Sequence, residues 1–207
     1  MKQLWLIILL LYFSGIGAHA QTRFGVKAGA TASKYNADEI NITNGSGVDV
    51  GVADYKFGYG FRIGGVMEYA LNRSFTVQPG LLFSLLQASI GAENLDENVR
   101  HQSFYLQLPV NAKYKYNFAN GDNLHFLAGP YIGYGLFGRV YADGEDQDYD
   151  IFDKGYDERF DAGLNFGLGY EIAKKYSLNA GFQLGLKEMN LLNAKWRSFE
   201  LSLTYFI

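Results

Sequence analysis

The chain has 207 residues, of which 48% are hydrophobic, 16% aromatic and 19% charged, with 25 Gly, 3 Pro and no Cys. This composition excludes a disordered chain, and a single domain is favoured if the chain is all-β. The absence of Cys excludes a disulfide framework, a thiolate zinc site and a Cys nucleophile. The formal net charge of −3 excludes the basic surface of a nucleic-acid-binding protein.

The first twenty residues have the organisation of a secretory signal peptide. Lys2 precedes ten apolar residues at positions 4–13, and small residues follow up to Ala18-His19-Ala20. Ten helical residues rise about 15 Å, half of the roughly 30 Å hydrocarbon core, which favours a cleaved signal over a membrane anchor. We expect residues 1–20 to be removed after Ala20 and residues 21–207 to form the exported domain.

Alternation of apolar and polar residues runs through the exported part of the chain. Residues 160–171, for example, place six apolar side chains on one parity and only Gly, Asn, Asp and Glu on the other. This period of two predicts β-strands. Eight segments show it, residues 23–33, 57–70, 74–87, 104–118, 123–138, 160–171, 176–187 and 196–207. They are longer than the strands of soluble sheets, whose mode is about 5–6 residues.

Short and long connections alternate between these segments. The short connections are residues 71–73, 119–122 and 172–175, and the long ones are 34–56, 88–103, 139–158 and 188–195. Short periplasmic turns and longer outer loops are typical of outer-membrane barrels. An even strand number lets the first strand pair with the last, which hydrocarbon requires because it cannot hydrogen-bond an open edge. We therefore predict an all-β fold, an eight-stranded antiparallel up-and-down transmembrane β-barrel.

In this barrel the apolar parity faces lipid, and the polar and Gly parity faces the lumen. Aromatic residues near the strand ends are expected to form interfacial girdles. They are Tyr69, Phe75, Tyr116, Phe118, Tyr170, Tyr176 and Tyr205 beside the short turns, and Tyr59, Phe83, Phe104, Phe137, Phe160 and Trp196 beside the long loops. The alternative is a soluble lipocalin-like barrel or a β-sandwich, whose apolar parity points inward. Strand length, the girdles and charges inside the strands favour the membrane barrel.

Three prolines fall inside the predicted strands. Pro79, Pro109 and Pro130 each lack the N–H that a strand ladder uses. Because a closed barrel has no free edge to accommodate them, we expect bulges or strand ends at these positions.

Five stretches carry a family resemblance. They are FTVQPGLLFS (75–84), YLQLPVNAKYKY (105–116), LAGPYIGYGL (127–136), FGVKAG (24–29) and FELSLTYF (199–206). Together they resemble the PorT-like or "porin family" outer-membrane β-barrels along nearly the whole exported chain. The resemblance implies a small eight-stranded barrel with a signal peptide, located in the outer membrane of a Gram-negative bacterium. It implies no catalytic residue, and the word porin does not imply an open pore.

The lumen of an eight-stranded barrel is just wide enough for side chains. The polar parity carries charges of both signs, and the candidate lumen network consists of Lys27, Arg62, Glu68, Lys113, Glu171 and Glu200. Glu68 and Glu171 are expected at a depth similar to that of Lys113, and Arg62 and Glu200 near mid-height. Because buried charges need partners, we expect a paired polar plug. The alternative is a narrow path for ions or small solutes.

Catalytic chemistry has little support in the sequence. Of the two His in the exported chain, His101 is expected to be solvated near a loop and His125 to face inward near a periplasmic turn. No nucleophile–base–orienter set accompanies them. We therefore expect no enzyme and no cofactor.

One acidic stretch is a weak metal candidate. Asp146, Asp148 and Asp150 have the alternating spacing of an EF-hand loop, but Ile151 stands where Gly is required. A solvated loop is therefore favoured over a Ca²⁺ site.

The expected function is that of a structural or binding barrel with surface loops, which meet an unidentified ligand or envelope partner. Outer-membrane lipid and the barrel-assembly machinery are the other expected partners. A narrow channel and an exported soluble lipocalin-like carrier remain the alternatives.

Overall fold

The computed structural model describes residues 22–36, 41–43, 49–92, 95–142, 145–150, 152, 159–188 and 194–207. The proposed signal peptide, residues 1–20, lies outside this part. Within these ranges we find no helix that is long and apolar enough to cross a membrane.

Ten antiparallel strands make up the described part of the chain. They are β1 (Thr22–Asn36), β2 (Asn41–Thr43), β3 (Asp49–Ala70), β4 (Phe75–Ala92), β5 (Leu95–Asn117), β6 (Asn123–Ala142), β7 (Glu145–Asp150), β8 (Phe160–Ile172), β9 (Tyr176–Gly185) and β10 (Lys195–Phe206). Each of the eight segments with alternating sequence overlaps one of the long strands, and four of them, residues 74–87, 104–118, 176–187 and 196–207, extend one or two residues beyond it. The short strands β2 and β7 pair only with β3 and β6.

The long strands close into a barrel, because β1 pairs with both β10 and β3. Successive partners from Ala32 around the wall are Phe199, Phe182, Phe166, Ala128, Ala112, Val77, Tyr69 and Thr22. The circuit returns to β1 ten residues below its start, and such a stagger requires the strands to tilt. The predicted eight-stranded antiparallel barrel is confirmed, and closure satisfies the backbone without an open edge.

The two faces of the wall have the predicted orientation. Along β10, four outward residues, Phe199, Leu201, Leu203 and Tyr205, are 42–66% exposed. The alternating residues Ser198, Glu200, Ser202 and Thr204 are only 1–7% exposed. A soluble lipocalin-like barrel or a sandwich would have the opposite orientation, and these alternatives are therefore wrong.

Trp196 is a correction to the predicted girdle. It shares the inward parity of Ser198 and Glu200, is 1% exposed, and packs against Tyr35 with ring centroids 4.2 Å apart. Its position near a strand end suggested an interfacial role, but its parity directs the ring into the lumen. The outward aromatic residues at this level include Phe104 and Phe137, whose rings stack at 4.4 Å.

The connection at residues 88–103 is a second correction, because it is not a long loop. β4 continues to Ala92 and β5 begins at Leu95. The predicted loops at residues 34–56 and 139–158 likewise contain strand residues, since β3 begins at Asp49 and β6 ends at Ala142. Beyond residue 87 the backbone pairing continues although the apolar alternation has ended, and the inward residues Ala88 and His101 remain buried in the lumen.

The prolines form neither the bulges nor the strand ends expected from the sequence. Each keeps its partner on the following strand, Pro79 with Val110, Pro109 with Tyr131 and Pro130 with Leu164. Toward the preceding strand two residue pairs drop out, but the register is the same on both sides of the gap. A strand residue hydrogen-bonds to only one neighbour, so a missing N–H interrupts one ladder and leaves the other intact.

Candidate functional site

The lumen near the short turns contains an ion cluster centred on Glu68, which we call the periplasmic cluster. Its members are Arg23, Glu68, Lys113, Lys115 and Glu171. Glu68 Oε2 accepts from Arg23 Nε at 2.8 Å and from Lys115 Nζ at 2.7 Å. Its Oε1 accepts from Lys113 Nζ at 2.5 Å. The register pairs Arg23 directly with Glu68, and β5, two strands from β3 in the wall, supplies both lysines.

Glu171 completes this cluster from β8. Its Oε2 accepts from Arg23 Nη2 at 2.5 Å, while Lys113 and Lys115 are 3.9 and 4.0 Å away. Three cations thus share two carboxylates. The Phe206 ring lies 3.8 Å from Arg23 Cζ, an arrangement that adds a cation–π contact.

A second set of polar side chains, the central network, crosses the lumen near mid-height. Glu200 pairs with Lys27 at 2.5 Å and also with Arg62. Arg62 donates from Nε to Ser84 Oγ at 2.9 Å and from Nη2 to Gln183 Oε1 at 2.7 Å. Because each polar atom bonds to a side chain on another strand, the network ties opposite walls together.

An apolar layer lies beside these charges inside the barrel. Val66, Leu82 and Phe206 point inward and form one buried cluster. The sequence assigned polar side chains and Gly to this face. Three apolar side chains there fill space that water would otherwise occupy next to the ion pairs.

The extracellular end of the lumen contains a buried cluster that we call the aromatic cap. Its buried members are Tyr35, Leu86, Ala88, Tyr105, Phe152, Ala194 and Trp196. Phe152, from the segment after β7, packs edge-on against Tyr105 with centroids 5.9 Å apart. Sequence analysis missed this cap, although inward parity, once the strands are known to continue upward, includes Tyr35 and Trp196.

His101 belongs to the same region, and its prediction as a solvated residue is wrong. It is 4% exposed, contacts the Tyr35 hydroxyl through Nδ1, and lies with its ring 6.5 Å from that of Trp196. The cause is the upward extension of β5, which places His101 within the wall rather than in a loop.

His125 faces inward, as expected, and has polar partners that the sequence did not indicate. Its Nε2 lies 2.9 Å from Asn179 Oδ1 and 3.5 Å from Ser177 Oγ, and its Nδ1 lies 3.1 Å from Asn123 Oδ1. Ser177 donates to Asn179 Oδ1 at 3.2 Å. Both Ser177 and His125 are at most 1% exposed, so this arrangement offers no accessible nucleophile.

The open space described in the lumen differs between its centre and its short-turn end. One cavity of about 30 Å³ borders Arg62, Gln107, Gln183 and Glu200, which is room for a water molecule or two. A wider vestibule of about 500 Å³ opens at the short-turn end, but Glu68 and Glu171 line its inner side. The periplasmic cluster therefore separates the vestibule from the centre of the barrel.

No metal site occurs among the described side chains. The weak candidates Asp146, Asp148 and Asp150 belong to β7, but their side chains lie outside the described part.

A closed antiparallel barrel with apolar side chains outside and ion pairs inside is a membrane-spanning β-barrel. A family model described as "Outer membrane protein beta-barrel domain" matches residues 19–190. The chain belongs to this family and is an integral protein of the outer membrane of a Gram-negative bacterium.

Several solved structures are similar to this chain. Ail of Yersinia pestis, in complex with the heparin analogue sucrose octasulfate, is 13% identical, with 90% of this chain and 99% of that chain covered and a TM-score of 0.48. Neisserial surface protein A is 16% identical, with 92% and 99% covered and a TM-score of 0.45. OprG of Pseudomonas aeruginosa is 11% identical, with 92% and 98% covered and a TM-score of 0.45. No curated protein sequence gives a significant match.

Proposed function

We propose that this protein is a non-enzymatic outer-membrane barrel with a plugged lumen, which anchors a binding surface outside the cell. The observation that carries the proposal is the central network. Arg62 and Glu200 bridge the lumen near mid-height beside a cavity of only about 30 Å³. A barrel whose lumen is filled in this way is a rigid support for the extracellular ends of its strands. Those ends are the part that a ligand or envelope partner can reach.

Conductance in planar bilayers tests the plug. We expect the wild type, Arg62→Ala and Glu200→Ala to be silent, because the periplasmic cluster and the aromatic cap still close the lumen on both sides of the central network. Single-channel steps in either variant would indicate a latent path and would contradict the plug.

A narrow channel for small solutes is the second candidate. The periplasmic vestibule favours it, since a space of about 500 Å³ lined by Arg23, Arg73, Lys115 and Lys174 would admit anions. Swelling of proteoliposomes in small sugars or anionic solutes measures this directly. Swelling above that of protein-free liposomes would support the channel over the plugged barrel.

Export and assembly complete the proposal. We infer that residues 1–20 are a signal peptide, that the barrel-assembly machinery inserts residues 21–207, and that the chain belongs among the PorT-like members of the family. Intact mass of the protein purified from membranes would identify Gln21 as the first residue. A mass that includes residues 1–20 would show that the segment is retained.

A further inference from the structure

Two cations face each other on the outer surface of the barrel at its extracellular end. Lys34 on β1 is the direct cross-strand partner of Arg197 on β10. Both point outward, because the neighbouring residues Tyr35, Trp196 and Ser198 are buried in the lumen. Like charges directly opposite each other destabilise a strand pair, so the arrangement calls for a counter-ion.

The protein supplies no such counter-ion from its described residues. Lys34 Nζ lies 5.0 Å from the centre of the Phe57 ring, and Arg197 Nη1 donates to the carbonyl oxygens of Gly185 and Trp196 at 2.8 and 3.3 Å. Neither cation forms an ion pair with another side chain in the described part of the chain. The carboxylate of Glu188 pairs instead with Lys195, 3.0 Å away.

Beside these cations on the outer surface is an aromatic platform, formed by Phe57, Phe182 and Phe199. Phe57 lies at the register level of Lys34, and Phe199 and its partner Phe182 lie two residues further toward the membrane. The Phe57 and Phe199 rings are 6.1 Å apart, and the Phe199 and Phe182 rings 5.0 Å apart. Ala32, the cross-strand partner of Phe199, lies two residues before Lys34 on β1. Its small side chain lets the rings on either side approach each other over the strand between them.

We propose that this surface binds an anionic lipid of the outer leaflet, whose phosphate lies between Lys34 and Arg197 and whose acyl chain lies on the aromatic platform. The platform lies on the outer surface of the wall, since its rings belong to the lipid-facing parity. The cations lie at its extracellular edge, where headgroups are found. An amphiphile contacts both parts at once, whereas a free anion would contact only the cations. The proposal is independent of whether the lumen conducts.

Native mass spectrometry of the full barrel in neutral detergent tests the proposal, with bis-phosphorylated lipid A and phosphatidylcholine as probes. We expect the wild type to retain one lipid A and no phosphatidylcholine. The double variant Lys34→Gln/Arg197→Gln should retain roughly tenfold less lipid A, the loss expected for one or two charge-assisted hydrogen bonds. Equal retention of the two lipids by the wild type would overturn the proposal.

Four further measurements locate the site and identify its ligand. The matched control Arg73→Gln/Lys174→Gln removes two exposed cations from the opposite end, and it should bind lipid A like the wild type.

Phe199→Ala should weaken retention of lipid A, and Lys34→Arg should preserve it. Excess inorganic phosphate should not displace lipid A. Displacement by phosphate, or equal loss in the Arg73/Lys174 control, would contradict a lipid site at Lys34 and Arg197. Heat-modifiable migration in SDS confirms that each variant is folded.

Discussion

Glu68 is the carboxylate on which the periplasmic cluster converges. Glu68→Gln would leave Arg23, Lys113 and Lys115 with Glu171 as their one remaining carboxylate in the cluster. Removing one partner of a buried ion pair costs about 3–5 kcal/mol. We expect a loss of this size in the free energy of unfolding, measured by urea titration in lipid vesicles.

Glu188→Gln is the matched control for this substitution. The Glu188 side chain is 58% exposed and pairs with Lys195 at 3.0 Å. An exposed ion pair contributes about 1 kcal/mol or less, so the control should unfold nearly as the wild type does. Equal losses in the two variants would mean that burial of the periplasmic cluster is not what makes Glu68 important.

Gly163 provides space for an aromatic ring inside the lumen. A Cβ at this position would lie 2.1 Å from the Leu184 carbonyl oxygen and 2.6 Å from Tyr131 Cε1. Gly163→Ala should therefore displace the Tyr131 ring and its hydrogen bond to Asp161, at about 1–3 kcal/mol. At Gly65 a Cβ would meet nothing within 4 Å, and Gly65→Ala should unfold no more easily than the wild type in the same titration.

At this scale the sequence predicts which face a side chain occupies but not which side chains meet. Alternation alone places Glu68 and Lys113 in the lumen. Their ion pair also requires that β3 and β5, which are two strands apart, be staggered so that the two residues lie at the same depth. The alternation of residues carries no information about this stagger. His101 was misplaced because the upper end of β5 carries no alternating signal. Trp196 was misplaced because its position near a strand end was given more weight than its inward parity.

In the turn between β8 and β9, two residues other than glycine adopt the left-handed backbone conformation. Ala173 and Lys174 have φ of 52° and 58°, and Lys175 N donates to the Ile172 carbonyl at 3.0 Å. This is the geometry of a type I′ hairpin turn, which favours Asn-Gly. Ala173→Asn/Lys174→Gly should raise the free energy of unfolding by about 1 kcal/mol. Lys175→Gly, outside the strained pair, should lower it.

Asp122 links this turn to the turn between β5 and β6. Its carboxylate accepts from the Ala173 backbone N–H and from the Tyr170 hydroxyl, each at 3.0 Å. These hydrogen bonds, that of Ala173 first, lower the pKa of Asp122 below its ordinary value of 3.8. The carboxylate therefore adds stability above pH 3.8, and this contribution is lost as the pH falls through the lower, folded-state pKa. NMR titration of the side-chain carboxyl carbon in micelles should show this lower midpoint, and the urea-unfolded chain the ordinary one.

Strand prediction works best where the bilayer imposes two different solvents on the two faces. β10 and β8 were therefore located almost to the residue. Above the bilayer the outer face of β4 and β5 no longer meets lipid. Their residues beyond 87 and 104 still pair, but the sequence there shows no alternation of apolar and polar residues. The prolines misled for a different reason, since loss of one N–H proved compatible with an unchanged register.

The whole molecule should behave as a closed hydrogen-bonded cylinder in lipid. Unboiled samples should migrate faster in SDS than boiled ones, because the closed ladder resists the detergent until it is heated. Membrane pellets should retain the protein after a carbonate wash. Release by carbonate, or a single band at all temperatures, would contradict the membrane-spanning barrel.

The β4–β5 hairpin continues about nine residues beyond Phe83 and Phe104, with only residues 93 and 94 between its strands. At about 3.3 Å per residue and a tilt of about 40°, its tip stands roughly 20 Å above the level of those rings. The hairpin therefore extends the ends of β4 and β5 well beyond the lipid-facing rings, within reach of a molecule that approaches from outside the cell.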